Sequence, residues 1–96
     1  ETHDAQEMQS AVQAGARLIG VNNRNLKDFT VDLGNAAKLR NGTPKGTVFV
    51  AESGVSSPED AAALRRTGAD AILVGEYLMR AADKKQALHA LRAAAK

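Results

Sequence analysis

The stretch from Val48 to Val55 constrains the fold of this chain most strongly. Its first four residues are all apolar, which predicts a strand buried on both faces, as in a parallel sheet. The strand ends on Glu52, Ser53 and Gly54, and Ser57 then supplies the N-cap of a following helix. A buried strand that carries polar groups to a sheet edge is typical of α/β enzymes. Turn geometry alone would explain the same residues, so this stretch leaves a turn and a functional site both open.

The rest of the chain alternates helices and strands with short connections and no hairpin signal. Predicted helices cover 5–14, 33–39, 58–66, 77–80 and 84–94, and predicted strands cover 17–21, 48–51 and 71–74. Asp4, Asp32 and Asp83 are the expected caps of three of these helices. Alternation of this kind indicates parallel strands covered by helices, an α/β fold.

Apolar residues outside the strands give a first view of the packing. We expect Leu26 and Phe29 to anchor the polar loop that runs to Val31. On the last helix, Leu88 and Leu91 are spaced to face inward together.

An internal repeat supports the α/β interpretation. Residues 7–21 and 59–74 share an acidic helix start, a Gly-Ala stop and an apolar strand, with one further βα unit between them. Repeated βα units are typical of a (β/α)8 TIM barrel or of a doubly wound sheet, and the repeat alone fits either.

Polar residues or glycine follow every predicted strand. Glu1 precedes the first helix and ends a strand whose body lies outside the sequence, Asn22 follows Val21, and Gly75 follows the strand over 71–74. Together with Glu52 and Ser53, these residues would meet at the carboxyl face of a parallel barrel, where active sites of that fold lie. The series therefore predicts a functional site.

The glycine-bearing loops at Ser53–Val55 and Gly75–Glu76 occupy neighbouring strand ends. A helical start follows each loop, so backbone N–H groups could point at a shared anion, and the short helix over 77–80 fits a barrel phosphate site. Close helix–strand packing would also explain the glycines. A phosphate bound there would require the Glu76 carboxylate to turn away.

Composition excludes several other classes. No apolar run approaches the roughly 20 residues needed to span a bilayer, and the chain has no cysteine, so we expect a cytoplasmic protein without disulfides and no membrane partner. The 13 basic and 11 acidic residues are scattered, with 3% aromatic residues, which argues against nucleic-acid binding. His3 and His89 are not spaced as metal ligands, so we expect no metal site.

Several segments together closely resemble indole-3-glycerol phosphate synthase. The matching segments are 1–3, 20–26, 29–33, 51–55 and 74–80, and the likeness extends in order along all 96 residues. The combination of Val-Asn-Asn-Arg-Asn-Leu with Ala-Glu-Ser-Gly is specific within the phosphate-binding barrels.

The resemblance implies a TIM barrel of which residues 1–96 form the C-terminal part, from the end of strand five to helix eight. It implies ring closure with decarboxylation and dehydration of 1-(2-carboxyphenylamino)-1-deoxyribulose 5-phosphate, in tryptophan biosynthesis and without a cofactor. Alternatives are another phosphate-binding barrel, such as phosphoribosylanthranilate isomerase or a thiazole synthase, or a non-catalytic half-barrel that binds phosphate or self-associates.

The resemblance also implies roles for individual residues. Glu1 resembles an acid/base carboxylate, Asn22 would hydrogen-bond the substrate with Arg24 nearby, and Glu52 would orient a catalytic lysine. The expected contacts of Ser53 are with substrate. The expected backbone donors to phosphate are Gly54, Gly75 and Glu76.

The resemblance requires catalytic lysines, but no lysine lies at the end of a predicted strand in this sequence. The family's catalytic lysines lie on the first and third barrel strands, which this sequence does not contain, so we expect the chain alone to be inactive. The start at Glu1 suggests a cut chain, and the expected partners are a small phosphorylated substrate and either the N-terminal half of the barrel or a second copy of the chain.

Overall fold

The computed structural model describes all 96 residues. Five helices are present: α1 (Ala5–Gln13), α2 (Gly34–Arg40), α3 (Pro58–Arg66), α4 (Glu76–Arg80) and α5 (Lys84–Ala94). Three strands alternate with them: β1 (Leu18–Asn22), β2 (Val48–Glu52) and β3 (Ala71–Leu73). The order and type of every predicted element are confirmed, and no boundary shifts by more than one residue. The longest helix has 11 residues, and no helix is long and apolar enough to cross a membrane.

Short polar side chains begin the helices as predicted, with one variation. The carboxylates of Asp4 and Asp83 accept hydrogen bonds from the amide three residues on, at 2.8 and 3.0 Å, and the Ser57 hydroxyl does the same at 3.2 Å. Asp32 instead accepts from the amide of Gly34, two residues on, at 2.9 Å. This shorter Asx-type turn places the cap of α2 at Leu33, one residue later than predicted.

The strands form one parallel sheet in the order β1-β2-β3. Thr2 extends this order, since its amide donates to the Gly20 carbonyl at 2.7 Å and its carbonyl accepts from the Asn22 amide at 2.9 Å. Neighbours in sequence are therefore neighbours in the sheet, without the reversal that a doubly wound sheet requires. Of the two folds that the repeat left open, the topology favours the barrel.

The hydrophobic core lies on one face of the sheet, beneath the helices. Ile19, Val21, Phe49 and Ala51 point to that face and are fully or almost fully buried. The helices contribute apolar residues to the same core, among them Met8, Ala36, Leu39, Ala61, Leu64 and Leu91.

The opposite face of the sheet, called the open face below, is not covered. Leu18, Val48 and Leu73 point to it and are 67%, 45% and 59% exposed. The prediction that the strand beginning at Val48 is buried on both faces is therefore wrong for this chain. Strand side chains alternate between faces, and helices cover only one of the two.

Two packing predictions outside the sheet are also wrong. Leu26 and Phe29 are mostly exposed and do not anchor their loop, and Leu88 is about half exposed whereas Leu91 is buried. Backbone hydrogen bonds hold the loop instead, including one from the Asp32 amide to the Asn23 carbonyl at 2.8 Å. The side chains of Leu26 and Phe29 therefore remain on the surface while the loop backbone is fixed.

Substitution of the most deeply buried aromatic residue tests this core. Phe49→Ala removes a ring that is 0% exposed, so we expect a loss of about 3–5 kcal/mol in the free energy of unfolding. Phe29→Ala makes the same change at a site that is 64% exposed, and the expected change is within about 0.5 kcal/mol. Urea unfolding followed by circular dichroism measures both. Equal losses in the two variants would contradict the assigned core.

Candidate active site

Two carboxylates and an amide meet at the carboxyl end of the open face. Asn22 and Glu52 lie opposite each other in the parallel register of β1 and β2, so their side chains project from the same face. The Glu1 carboxyl is within hydrogen-bonding reach of both the Glu52 carboxyl and the Asn22 side chain. We call Glu1, Asn22 and Glu52 the acidic cluster.

The two carboxyl groups of the acidic cluster titrate as a pair. Burial, and then the hydrogen bond and negative charge of Glu1, raise the pKa of Glu52. The hydrogen bond from Glu52 holds the pKa of Glu1 below its ordinary range, and a hydrogen bond from Asn22 acts in the same direction. When the pair holds a single proton, Glu52 is therefore its preferred carrier. Such a pair can donate and accept a proton at one place.

Gly20 makes room for the Glu52 side chain. The Glu52 carboxyl folds back over Gly20 on the neighbouring strand, and a Cβ at that position would overlap with Glu52 Oε1. Sequence reasoning missed this role, although a glycine inside a strand is a known sign of close approach by another group.

Asn23 fixes the ends of β1 and β2 relative to α2. Its side chain is buried; the amide donates to the Ser53 carbonyl at 3.2 Å, and its oxygen accepts from the Ala36 amide at 3.1 Å. Its backbone N–H also donates to the Glu52 carbonyl at 2.8 Å. Sequence reasoning did not single out Asn23, since nothing in the loop composition indicates burial.

A second asparagine and Asn22 itself hold the adjoining loops. The Asn35 side chain donates to the carbonyls of His3 and Asn22, at 3.0 and 3.1 Å. The Asn22 side-chain oxygen accepts from the Arg24 amide at 2.9 Å, which fixes the start of the loop that carries the Arg24 guanidinium.

The turn after β2 adopts an unusual backbone. Ser53 has φ +67° and Gly54 has φ +89°, both in the left-handed region. For serine this conformation is strained, and such strain occurs more often at functional sites. A Cβ on Gly54 would press on the side chains of Val31 and Leu33, so close packing alone already requires glycine here.

A cleft of about 1010 Å³ opens between the ends of β2 and β3. Its lining includes Arg24, Ser53, Gly54, Gly75, Glu76 and Arg80. The amide N–H groups of Gly54 and Gly75 donate to no acceptor within the chain. The Glu76 carboxylate also lines the cleft, where it lies 2.8 Å from the Arg80 guanidinium and 3.9 Å from that of Arg24.

All of the residues proposed from the sequence thus fall into two adjoining groups. Glu1, Asn22 and Glu52 form the acidic cluster, and the other five line the cleft. Covalent neighbours join the groups, because Ser53 follows Glu52 directly and Arg24 lies two residues beyond Asn22. Sequence reasoning missed Arg80 in the cleft; its spacing of four residues from Glu76 on a short helix is the signal that could have found it.

These features define a class of protein before any comparison is made. Parallel strands in sequential order, helices on one face and polar groups gathered at the carboxyl ends are those of a (β/α)8 barrel with its site at the strand ends. The likeness to solved structures supports the fold. The Amycolatopsis orientalis BexX/CysO complex matches with TM-score 0.78 and 24% identity over 96% of this chain and 38% of that chain.

A second solved structure gives the same result. The (S)-3-O-geranylgeranylglyceryl phosphate synthase of Thermoplasma acidophilum, in complex with sn-glycerol-1-phosphate, matches with TM-score 0.75 and 23% identity, over 97% of this chain and 38% of that chain. At these identities the likeness concerns the fold alone.

Sequence comparison identifies the family. The family model for indole-3-glycerol phosphate synthase matches residues 1–91. Indole-3-glycerol phosphate synthases of Ruminiclostridium cellulolyticum and Lactiplantibacillus plantarum are 50% and 52% identical, over 99% and 97% of this chain. The chain belongs to the indole-3-glycerol phosphate synthase family. It spans about a third of the length of these relatives, 36% in both cases.

The raised pKa of Glu52 predicts how the stability of the chain depends on pH. Above the ordinary glutamate pKa of 4.5 the folded chain retains the Glu52 proton that the unfolded chain releases, so stability falls as the pH rises through that window. The lowered pKa of Glu1 has the opposite effect below 4.5. In Glu52→Gln we expect this decrease of stability with rising pH to disappear. The variant should be more stable than the wild type at neutral pH, by at most about 1 kcal/mol because the cluster is open to water.

Urea unfolding between about pH 4 and pH 8 measures this profile. The matched control is Glu59→Gln, which removes an exposed carboxylate from α3 and should leave the fall in place. If the stability profile of Glu52→Gln overlies that of the wild type, the raised pKa of Glu52 is contradicted.

Proposed function

We propose that residues 1–96 are the C-terminal part of a single barrel domain that acts as an indole-3-glycerol phosphate synthase in tryptophan biosynthesis. The reaction closes the ring of 1-(2-carboxyphenylamino)-1-deoxyribulose 5-phosphate with loss of CO2 and water. One observation carries the proposal: the acidic cluster and the cleft lie side by side at the carboxyl ends of the same strands. Membership of the family favours this reaction over those of the isomerase and the thiazole synthase.

In this proposal the cleft receives the phosphate of the substrate. The unbonded amide groups of Gly54 and Gly75 are suited to an anion, and the Arg24 guanidinium lies at the same cleft. Glu76 donates through its backbone, as the family resemblance suggests. Its carboxylate now contacts Arg80 and Arg24, so a bound phosphate would compete with Glu76 for these cations.

The acidic cluster supplies the acid/base chemistry in this proposal. Ring closure turns the substrate carbonyl into a hydroxyl, which requires a proton, and later loss of that hydroxyl as water requires another. The opposite pKa shifts of the two carboxyls make Glu52 the preferred proton donor and Glu1 the preferred proton acceptor. Asn22 and Ser53 hydrogen-bond the substrate beside them.

Completion of the site requires a lysine that this chain does not provide. Glu52 orients a catalytic lysine in the family resemblance, and closure of the ring with loss of CO2 needs a cation at the reacting carbonyl. All lysines of the chain are exposed on loops, helices and the C-terminus, and none projects from the open face: 27, 38, 45, 84, 85 and 96. The lysine must come from the remaining strands of the barrel.

Complementation tests the proposed reaction. The chain alone should form no indole-3-glycerol phosphate from the substrate. This chain spans 36% of the Ruminiclostridium cellulolyticum relative. In this proposal, addition of the N-terminal remainder of that relative should complete the barrel and produce indole fluorescence. In that complex Glu52→Gln should lower kcat by about 100-fold or more, since general acid–base groups contribute on that scale.

Product formation by the chain alone would contradict the requirement for a lysine from the rest of the barrel. A complex that assembles with native-like circular dichroism and binds phosphate but remains inactive would contradict the proposed reaction.

A non-catalytic, self-associating half-barrel is the second candidate, and the open face favours it. Leu18, Val48 and Leu73 expose a contiguous apolar surface, and such surfaces associate in water. β3 lies at the edge of the sheet with nothing paired beyond it, where a strand from another chain could add. A second copy of the chain would then cover the open face.

Light scattering tests self-association. We expect the wild-type chain to dimerise or aggregate, and Leu18→Lys to shift it towards the monomer because a charge then occupies the apolar surface. Met79→Lys is the matched control, since Met79 is 76% exposed on α4, away from the open face. A monomeric wild-type chain at high concentration would count against this candidate.

A further inference from the structure

His3 lies between the acidic cluster and the start of α1. The Glu7 carboxylate oxygen Oε1 accepts a hydrogen bond from the His3 backbone N–H at 2.7 Å and lies 3.2 Å from His3 Nδ1. Asn35 of α2 donates to the His3 carbonyl at 3.0 Å. The residue is therefore held from two helices, and its ring orientation is fixed by Glu7.

The other ring nitrogen of His3 faces Glu1. His3 Nε2 is shielded from solvent and has no hydrogen-bond partner. It lies 3.7 Å from Glu1 Oε2, which is within ion-pair range but longer than the roughly 2.8 Å of a charged hydrogen bond. Hydrogen bonds of catalytic groups are often long in the absence of substrate.

The two contacts of the imidazole determine where a proton must lie. Glu7 is an acceptor, so Nδ1 carries the hydrogen in that contact. A neutral ring would then present the lone pair of Nε2 to the Glu1 carboxylate, which is repulsive. A proton on Nε2, or on Glu1 itself, removes the repulsion, so the geometry suits a proton between the two groups.

The charged groups around His3 are mostly acidic. Besides Glu1 and Glu7, the polar cleft of about 690 Å³ that His3 lines also contains Asp4 and Asp32 as acids, and Arg24 and Lys27 as bases. Glu52 is a further acid beside Glu1. The imidazole is thus the one cationic side chain that the structure places within ion-pair range of Glu1.

We propose that His3 is a positioning residue for Glu1: held by Glu7, it turns Nε2 towards the Glu1 carboxylate and keeps a proton available to it. Glu1 then lies near two groups that can carry a proton, His3 in the segment before α1 and Glu52 at the end of β2. This inference rests on the proposed role of Glu1 as an acid/base group. The positive charge of His3 also helps to hold the pKa of Glu1 low.

Carboxyl titration of the full chain by carbon-13 NMR tests the contact without any requirement for activity. Glu1 and Glu52 should titrate as a pair, in two steps. We expect His3→Gln to raise the lower step by about 0.5 to 1 unit, less than for a fully buried ion pair because the His3 side chain is partly exposed. His89→Gln, on the exposed side of α5, is the matched control and should leave both steps in place.

A second variant tests whether His3→Gln changes the titration only because it disturbs the first turn of α1, where Glu7 lies. His3→Asn places an amide where Nδ1 lies, so it keeps a donor for Glu7 but has no atom that reaches Glu1. It should raise the lower step as much as His3→Gln does. A lower step that stays at its wild-type position in His3→Asn would overturn the proposal.

Activity of the completed barrel supplies the second readout. With the N-terminal segment of the relative added, His3→Asn should lower kcat by about tenfold, with KM within about twofold, and should change the acidic limb of the kcat profile. An unchanged kcat profile would also overturn the positioning role. If the wild-type complex is inactive, the proposed function fails, whereas the titration still decides whether His3 contacts Glu1.

Discussion

The parallel register between β1 and β2 is the constraint on which the site depends. It places Asn22 opposite Glu52, so that the carboxyl end of the open face is polar. It also places Gly20 opposite Val50, and the missing side chain of Gly20 leaves space for Glu52. Because parallel strands end at the same edge, the pairing that builds the sheet also gathers the polar strand ends. A shift of one residue would turn Glu52 into the helix-covered core, where a carboxylate without a partner is costly.

Two asparagine side chains, the buried Asn23 and the half-buried Asn35, keep this edge in place. Asn23 joins the ends of β1 and β2 to α2, and Asn35 joins α2 to the segments that hold His3 and Asn22. These amides satisfy carbonyl and amide groups that loops would otherwise bury without partners. The strained backbone at Ser53 is held within the same network, which fixes its carbonyl.

The two faces of the sheet have opposite properties. The helix-covered face contains the core around Phe49 and accounts for the stability of the chain, whereas the open face carries exposed leucine and valine beside a pair of like-charged carboxyls. Repulsion between Glu1 and Glu52 is tolerable because water still reaches the pair. Burial, and then the hydrogen bond and negative charge of Glu1, raise the pKa of Glu52, which favours a proton at the place where the proposed reaction uses one.

Residues close together in the chain are enough to predict the order of helices and strands, the caps at Asp4, Ser57 and Asp83, and the set of polar strand ends. The roles of Gly20, Asn23 and His3 emerged only from the tertiary structure, since each acts on residues from another strand or helix. The exposure of Val48 was missed for a related reason. An apolar run shows that both faces of a strand can be buried. Which faces are covered depends on where the surrounding helices and strands lie.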